Sequence, residues 1–192
     1  MSTGWAIGLS VLLLIGNAFF VGAEFALISA RRTQIEPRAE QGSRAARITL
    51  RGMENVSLMM AGAQLGITMC SLGLGAIGEP AVAHLIEPLF EAARLPEALL
   101  HPLAFAIALT IVVTLHMVLG EMVPKNIAIA GPERSALVLG PPLYGVVTVL
   151  KPGIVLLNWI ANIVLRVLKV EPKDEVASTF TTDEVAGFIA ES

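Results

Sequence analysis

Glu121 stands in the stretch GEMVPKN, residues 120–126, directly after an apolar run. Ionisable groups inside a membrane-length segment are costly, so each is read first as a functional group. Pro124 follows three residues later and has no N–H, so in a helix the carbonyl of Gly120 loses its partner. A carboxylate beside a freed carbonyl at a helix break offers two hard oxygen ligands, which suit a small cation. The competing reading is that Glu121 pairs with Lys125 one turn later and caps the helix end.

Other polar groups fall inside apolar runs at helical spacing. Gln64, Thr68 and Ser71 follow an i, i+4, i+7 pattern that puts them on one helix face. They could line a polar cavity with Glu121 or simply hydrogen-bond between helices. Gly62 and Gly66 form a small-xxx-small pair, which lets another helix approach from within the chain or from a second copy. Asn17 and Glu24 lie seven residues apart, again on one face, and Ser29 is near the end of that segment. Glu24, Ser29 and Asn126 are candidates for a second cation or for gating. Asn126 also reads as a cap and His116 as a packing histidine. Pro124 is the hinge candidate, and Lys125 reads as an anchor at the membrane surface.

Enzyme chemistry finds little support. The sequence has no H-E-x-x-H pair, no Walker loop and no G-x-S-x-G elbow. The only aspartates, Asp174 and Asp183, lie in the polar tail, which leaves no intramembrane di-aspartate pair. A single cysteine, Cys70, excludes an internal disulfide and reads as a buried, inert thiol.

The elements that must position these groups are apolar helices. Of 192 residues, 55% are hydrophobic and 15% charged, whereas a soluble domain carries roughly a quarter charged residues. Mean hydropathy is +0.73. The composition predicts an all-α membrane protein with spans at about 5–30, 56–77 and 103–121. The first basic residue is Arg31, so the N-terminal segment lacks the charged start of a secretory signal and reads as a retained span. Residues 135–168 are interrupted by GPPLYG and KPG, which predicts a juxtamembrane or re-entrant helix pair or a bent hairpin. The loop at 31–55 is predicted helical and carries Arg31, Arg32, Arg38, Arg44, Arg47 and Arg51. Between the second and third spans lie Glu79, Glu87, Glu91 and Glu97, in a stretch that suggests a separate amphipathic surface helix. The positive-inside rule makes the arginine loop cytoplasmic, the N-terminus and the acidic region external, and the C-terminus cytoplasmic. Residues 169–192 read as a linker followed by a helix start at Thr181 or Thr182, which suggests further cytoplasmic sequence beyond the transmembrane domain at 1–168.

Four stretches, NAFFVGAEFALISARR, AQLGITMCSLGLGAIGEPAVAHLIEPLF, HMVLGEMVPKNIAIAGPERSALVL and, within it, GEMVPKNIAIAGPE, together resemble the transmembrane domain of the CNNM/CorC family of magnesium transport proteins. The resemblance implies a homodimer of three-span subunits in the plasma membrane, with a cytoplasmic CBS-domain pair that binds nucleotide. It implies Mg²⁺ efflux coupled to Na⁺ influx, with the glutamate of the Gly-Glu-x-x-Pro-Lys motif, here Glu121, as cation ligand. Many members have serine after the paired aromatics of span one, where this chain has Val21, and asparagines in span two, where it has AQLGIT; the metal set that the resemblance implies is then Glu121 and Gly120 with Gln64, Thr68, Ser71 and Asn17 as substitutes. The resulting expectation is a divalent cation transporter that works by alternating access, with lipid, a second copy and Mg²⁺ as partners and no nucleic acid. A membrane-embedded Mg²⁺ sensor or scaffold for another transporter is the second reading, and a structural anchor the third.

Overall fold

The structure, a computed structural model, describes residues 2–92 and 96–168. The predicted linker, the helix start at Thr181 or Thr182, and Arg94 lie outside the described residues. Helix α1 spans Thr3–Ser29. The arginine loop folds as two short helices, α2 (Arg32–Glu40) and α3 (Arg44–Glu54). Gly42 makes the turn between them with φ of 94°, a left-handed conformation that a Cβ disfavours. Ser43 then caps α3 by accepting the Ala46 N–H at 3.3 Å. Arg32 reaches Glu36 at 3.6 Å and Glu54 at 3.3 Å, tying α2 to the end of α3.

Helix α4 runs without interruption over Val56–Ala92. The amphipathic surface helix expected after span two is therefore the continuation of span two itself. Pro80 and Pro88 sit inside it, and Gly78 faces Ser10 of α1. Thirty-seven residues make a helix about 55 Å long, and a bilayer core of about 30 Å covers little more than half of it. The arm beyond the apolar stretch carries Glu87, which accepts from His84 Nδ1 at 3.0 Å and from His101 Nδ1 of the next helix at 3.1 Å. The His84 hydrogen bond, helped by that of His101, holds the Glu87 carboxyl below the ordinary carboxylate value.

The third apolar run is longer than expected. Helix α5 (Glu97–Leu115) passes into a π-helical segment (His116–Met122) and then into α6 (Val123–Ala130). The predicted break at Pro124 is thus a widened turn: the Val123 N–H donates to the Val118 carbonyl five residues back. Single π turns of this kind recur at functional positions.

Residues 132–167 correct a further expectation. They form one helix, α7 (Pro132–Val167), with Pro141, Pro142 and Pro152 inside it, and not a helix pair. Proline in a helix costs a hydrogen bond, yet packing by neighbouring elements sustains such helices. Here one stripe is buried: Ala136, Gly140, Leu143, Val147 and Ile154. Leu139 lies against Gly22 of α1, Gly140 against Thr49 of α3, and Val147 and Ile154 against Gly62 of α4. Four helical stretches, at residues 3–29, 56–92, 99–130 and 132–167, are long and apolar enough to cross a membrane, one more than the sequence predicted. A single helix in place of a pair also removes the argument that kept both of its ends on one side.

Helices α1 and α4 pack antiparallel. Leu13 covers Gly73, Gly16 faces Cys70, and the Phe20 ring lies on Gly66. The small-xxx-small pair is thus used within the chain, Gly66 by α1 and Gly62 by α7. Cys70, expected buried, is half-buried.

Candidate cation site

Asn17 is near the midpoint of α1 and fully buried. Its Nδ2 donates to the Gly120 carbonyl at 3.0 Å. This is the carbonyl that the sequence leaves without a helical partner because of Pro124, so a side chain from another span now satisfies it. Asn17 Oδ1 accepts from Ser71 Oγ of α4 at 3.2 Å. A hydroxyl has one proton, and Ser71 has spent it. Ser71 Oγ lies 3.1 Å from His116 Nε2, so this nitrogen must carry the proton and donate. The same nitrogen is 3.6 Å from Glu121 Oε1. One polar layer therefore joins α1, α4 and the π segment, with Asn17, Ser71, His116, Gly120 and Glu121 as members.

Serine, histidine and glutamate together invite comparison with a nucleophile triad. In a triad the serine and the acid engage opposite ring nitrogens. Here both face Nε2, so the imidazole cannot relay a proton between them in that manner.

The Glu121 side chain is 47% exposed. Among the described residues Lys125 does not pair with it; the ammonium sits 4.6 Å from the Phe25 ring centroid. Gly120 is buried, and a Cβ there would lie 3.1 Å from Asn17 Nδ2, from His116 Cδ2 and from Leu14 Cδ1. The close approach of Asn17 to the carbonyl thus depends on glycine.

The remaining candidates fall elsewhere. Gln64 Nε2 donates to Glu24 Oε1 at 3.3 Å, two helical turns away from the Asn17 layer. Thr68 is exposed and returns its hydroxyl to the Gln64 carbonyl at 2.8 Å. Asn126 is exposed on α6, and Ser29 ends α1; neither makes a side-chain hydrogen bond to the layer among the described residues. His116, which the sequence reads as a packing residue, belongs to the layer. Five residues apart in an α-helix, His116 and Glu121 would point about 140° from each other; π-helical bonding to the fifth residue brings them together. The signal available in the sequence was Pro124, which disfavours a regular α-helix across this segment.

Among the described residues, no three His, Cys, Asp or Glu side chains are grouped to hold a metal. A cation in this layer would be held by one carboxylate together with neutral oxygens.

The pattern of the Cyclin M transmembrane N-terminal domain matches residues 8–192. This chain belongs to the CNNM family. An uncharacterized protein of Mycobacterium tuberculosis (strain H37Rv) is 51% identical over 187 residues, 97% of this chain and 53% of that protein. The UPF0053 protein YhdT of Bacillus subtilis is 35% identical over 186 residues, 94% of this chain and 40% of the relative. The UPF0053 protein sll0260 of Synechocystis is 30% identical over 173 residues, 90% of this chain and 38% of the relative. The chain spans about half, or less, of the length of these relatives. The CNNM match and the long apolar helices identify a multi-pass membrane protein.

Proposed function

We propose that this CNNM domain binds a divalent cation, Mg²⁺, in the Asn17–Ser71–Gly120–Glu121 layer and carries it across the plasma membrane by alternating access. What supports the reading is the convergence of one carboxylate, one carbonyl, one amide and one hydroxyl from three separate apolar helices. Mg²⁺ prefers oxygen ligands at about 2.1 Å and keeps several waters, so a few protein oxygens suffice. A half-exposed Glu121 leaves room for those waters.

The layer also suggests how occupancy is coupled to shape. The Asn17 amide N–H and a cation compete for the same Gly120 carbonyl. When the cation arrives, Asn17 turns its amide, withdraws Nδ2 and offers Oδ1. Ser71 then loses its acceptor and is free to turn its oxygen lone pairs to the metal. His116, which donates to Ser71, lies beside Glu121 in the empty state and is displaced as the carboxylate turns to the cation. Pro124, just beyond the π segment, supplies the flexible point about which α6 can swing, and Lys125 keeps α6 at the surface through Phe25. By family resemblance transport runs as efflux against Na⁺ influx, in a homodimer that carries nucleotide-binding CBS domains. The protein is on this reading not an enzyme.

Sealed liposomes that contain the purified chain and a Mg²⁺-sensitive dye test the reading. Saturable Mg²⁺ flux that Glu121→Gln abolishes is the expected result. Saturable binding with no flux would turn the assignment to a sensor.

A further inference from the structure

We infer that Glu24 and Gln64 form a second cation station, selective for a small monovalent cation, on the same track as the Asn17 layer. The inference rests on the cation-transport reading of that layer and assigns the next position along the path.

The geometry is a register. On α1 the residues are Ser10, Asn17 and Glu24; on α4 they are Gly78, Ser71 and Gln64. Each step is seven residues, and the helices run antiparallel. Ser71 donates to Asn17 Oδ1 at 3.2 Å, Gln64 donates to Glu24 Oε1 at 3.3 Å, and Ser10 Oγ is 3.2 Å from the position of a Cβ on Gly78. Seven residues of helix rise about 10.5 Å. Two polar layers thus stand one above the other between the same two helices. The Glu24 layer lies nearer the arginine-rich end, since α1 ends at Ser29.

The charge at Glu24 lacks a partner. The residue is 9% exposed. Its one described partner is the neutral Gln64 amide. No Lys, Arg or His nitrogen lies within 4.0 Å of it among the described residues. The Lys125 ammonium lies 4.6 Å from the ring of Phe25, the residue next in sequence to Glu24. An isolated buried carboxylate in a span is unfavourable unless a counter-charge joins it. A single positive charge neutralises the buried carboxylate of Glu24, whose partner Gln64 is exposed, whereas a divalent ion would leave a net charge beside it. Glu121 differs in being half exposed, which leaves space for the waters that a divalent ion keeps. The two layers are therefore matched to different cations. Gln64 can donate to Glu24 when the station is empty and, by turning its amide, offer an oxygen when it is filled.

Equilibrium binding of radiolabelled Na⁺ to the purified chain in detergent, without Mg²⁺, tests the inference. Wild type and Glu121→Gln should bind Na⁺ within about twofold of each other, while Glu24→Gln should lose at least about tenfold in affinity, about 1.4 kcal/mol. Glu24→Asp, which keeps the charge on a shorter stem, should fall between them and covers the case in which Glu24→Gln does not fold. Mg²⁺ affinity should follow the opposite order, reduced in Glu121→Gln and kept in Glu24→Gln. Absence of saturable Na⁺ binding to wild type, as when a proton alone serves Glu24, would overturn the inference. So would Na⁺ binding that survives in Glu24→Gln. Loss of Mg²⁺ binding in neither variant would instead count against the reading of the Asn17 layer.

Discussion

A single amide ties two other helices to α1: Asn17 holds the Gly120 carbonyl with Nδ2 and receives Ser71 with Oδ1. Asn17→Ala removes both contacts and a proposed ligand. Mg²⁺ affinity, measured by calorimetry, should fall by about tenfold, since one hydrogen-bonded or ligating group contributes on the order of 1–1.5 kcal/mol. Thr68→Ala should stay within about twofold, because the Thr68 hydroxyl bonds its own helix. Equal losses in the two variants would contradict the placement of Asn17 in the site. The sequence made Asn17, Ser71, Gly120 and Glu121 visible, because polar residues in apolar runs stand out and helical spacing groups them by face. It could not separate Gln64 from Ser71, because they share a face of α4 and only the antiparallel register with α1 assigns each to a layer. It also set His116 aside, since only a π-helical turn brings it to Glu121.

The helices themselves were legible where apolar length governs, as in α1. They were less legible where proline was taken as punctuation. Pro80 and Pro88 in α4, Pro124 at the start of α6, and Pro141, Pro142 and Pro152 in α7 all sit in continuous helix. Neighbouring elements compensate the missing bonds, and no local rule reports those neighbours. Glycine pairs were read correctly as sites of close approach, but the sequence could not say which helix approaches. The answer predicts a cost. Gly62 has α7 Val147 in contact with the place a Cβ would occupy, and Ile154 Cδ1 at 3.2 Å. Gly62→Leu should therefore overpack this crossing and lower the unfolding midpoint, by an amount equivalent to about 1–3 kcal/mol. Gly75→Leu, where nothing lies within 4 Å, is the control and should be close to neutral. A neutral Gly62→Leu would show that α7 does not dock there.

At the scale of the molecule, α7 bears on the number of crossings. Between Leu139 and Ile154 it advances about 22 Å. Over that length Gly22, Thr49 and Gly62 lie against it, each toward or at the arginine-rich end of α1, α3 or α4. A helix running along the spans would meet residues from both ends. We propose that α7 lies across the other helices, that three helices cross, and that both ends of α7 stay on the arginine side. Single cysteines at Arg44, Glu91 and Leu168 in a Cys70→Ser background, probed on whole cells with an impermeant thiol reagent, test this. Glu91 should label, and Arg44 and Leu168 should not. Labelling at Leu168 together with Glu91 would make α7 a fourth crossing. The homodimer expected by resemblance finds no support in Gly62 and Gly66, which are occupied within the chain.

On the proposed reading Glu121 anchors a divalent cation in the layer built by the three spans. Mg²⁺ titration by calorimetry of the folded wild-type chain and of Glu121→Gln tests it most directly. Glutamine keeps the volume and removes the charge, so affinity should fall at least tenfold, about 1.4 kcal/mol. Lys125→Ala, measured alongside, should leave affinity flat, because its ammonium rests on Phe25 and not on Glu121. Equal Mg²⁺ affinity in wild type and Glu121→Gln would rule out Glu121 as the anchor of the cation.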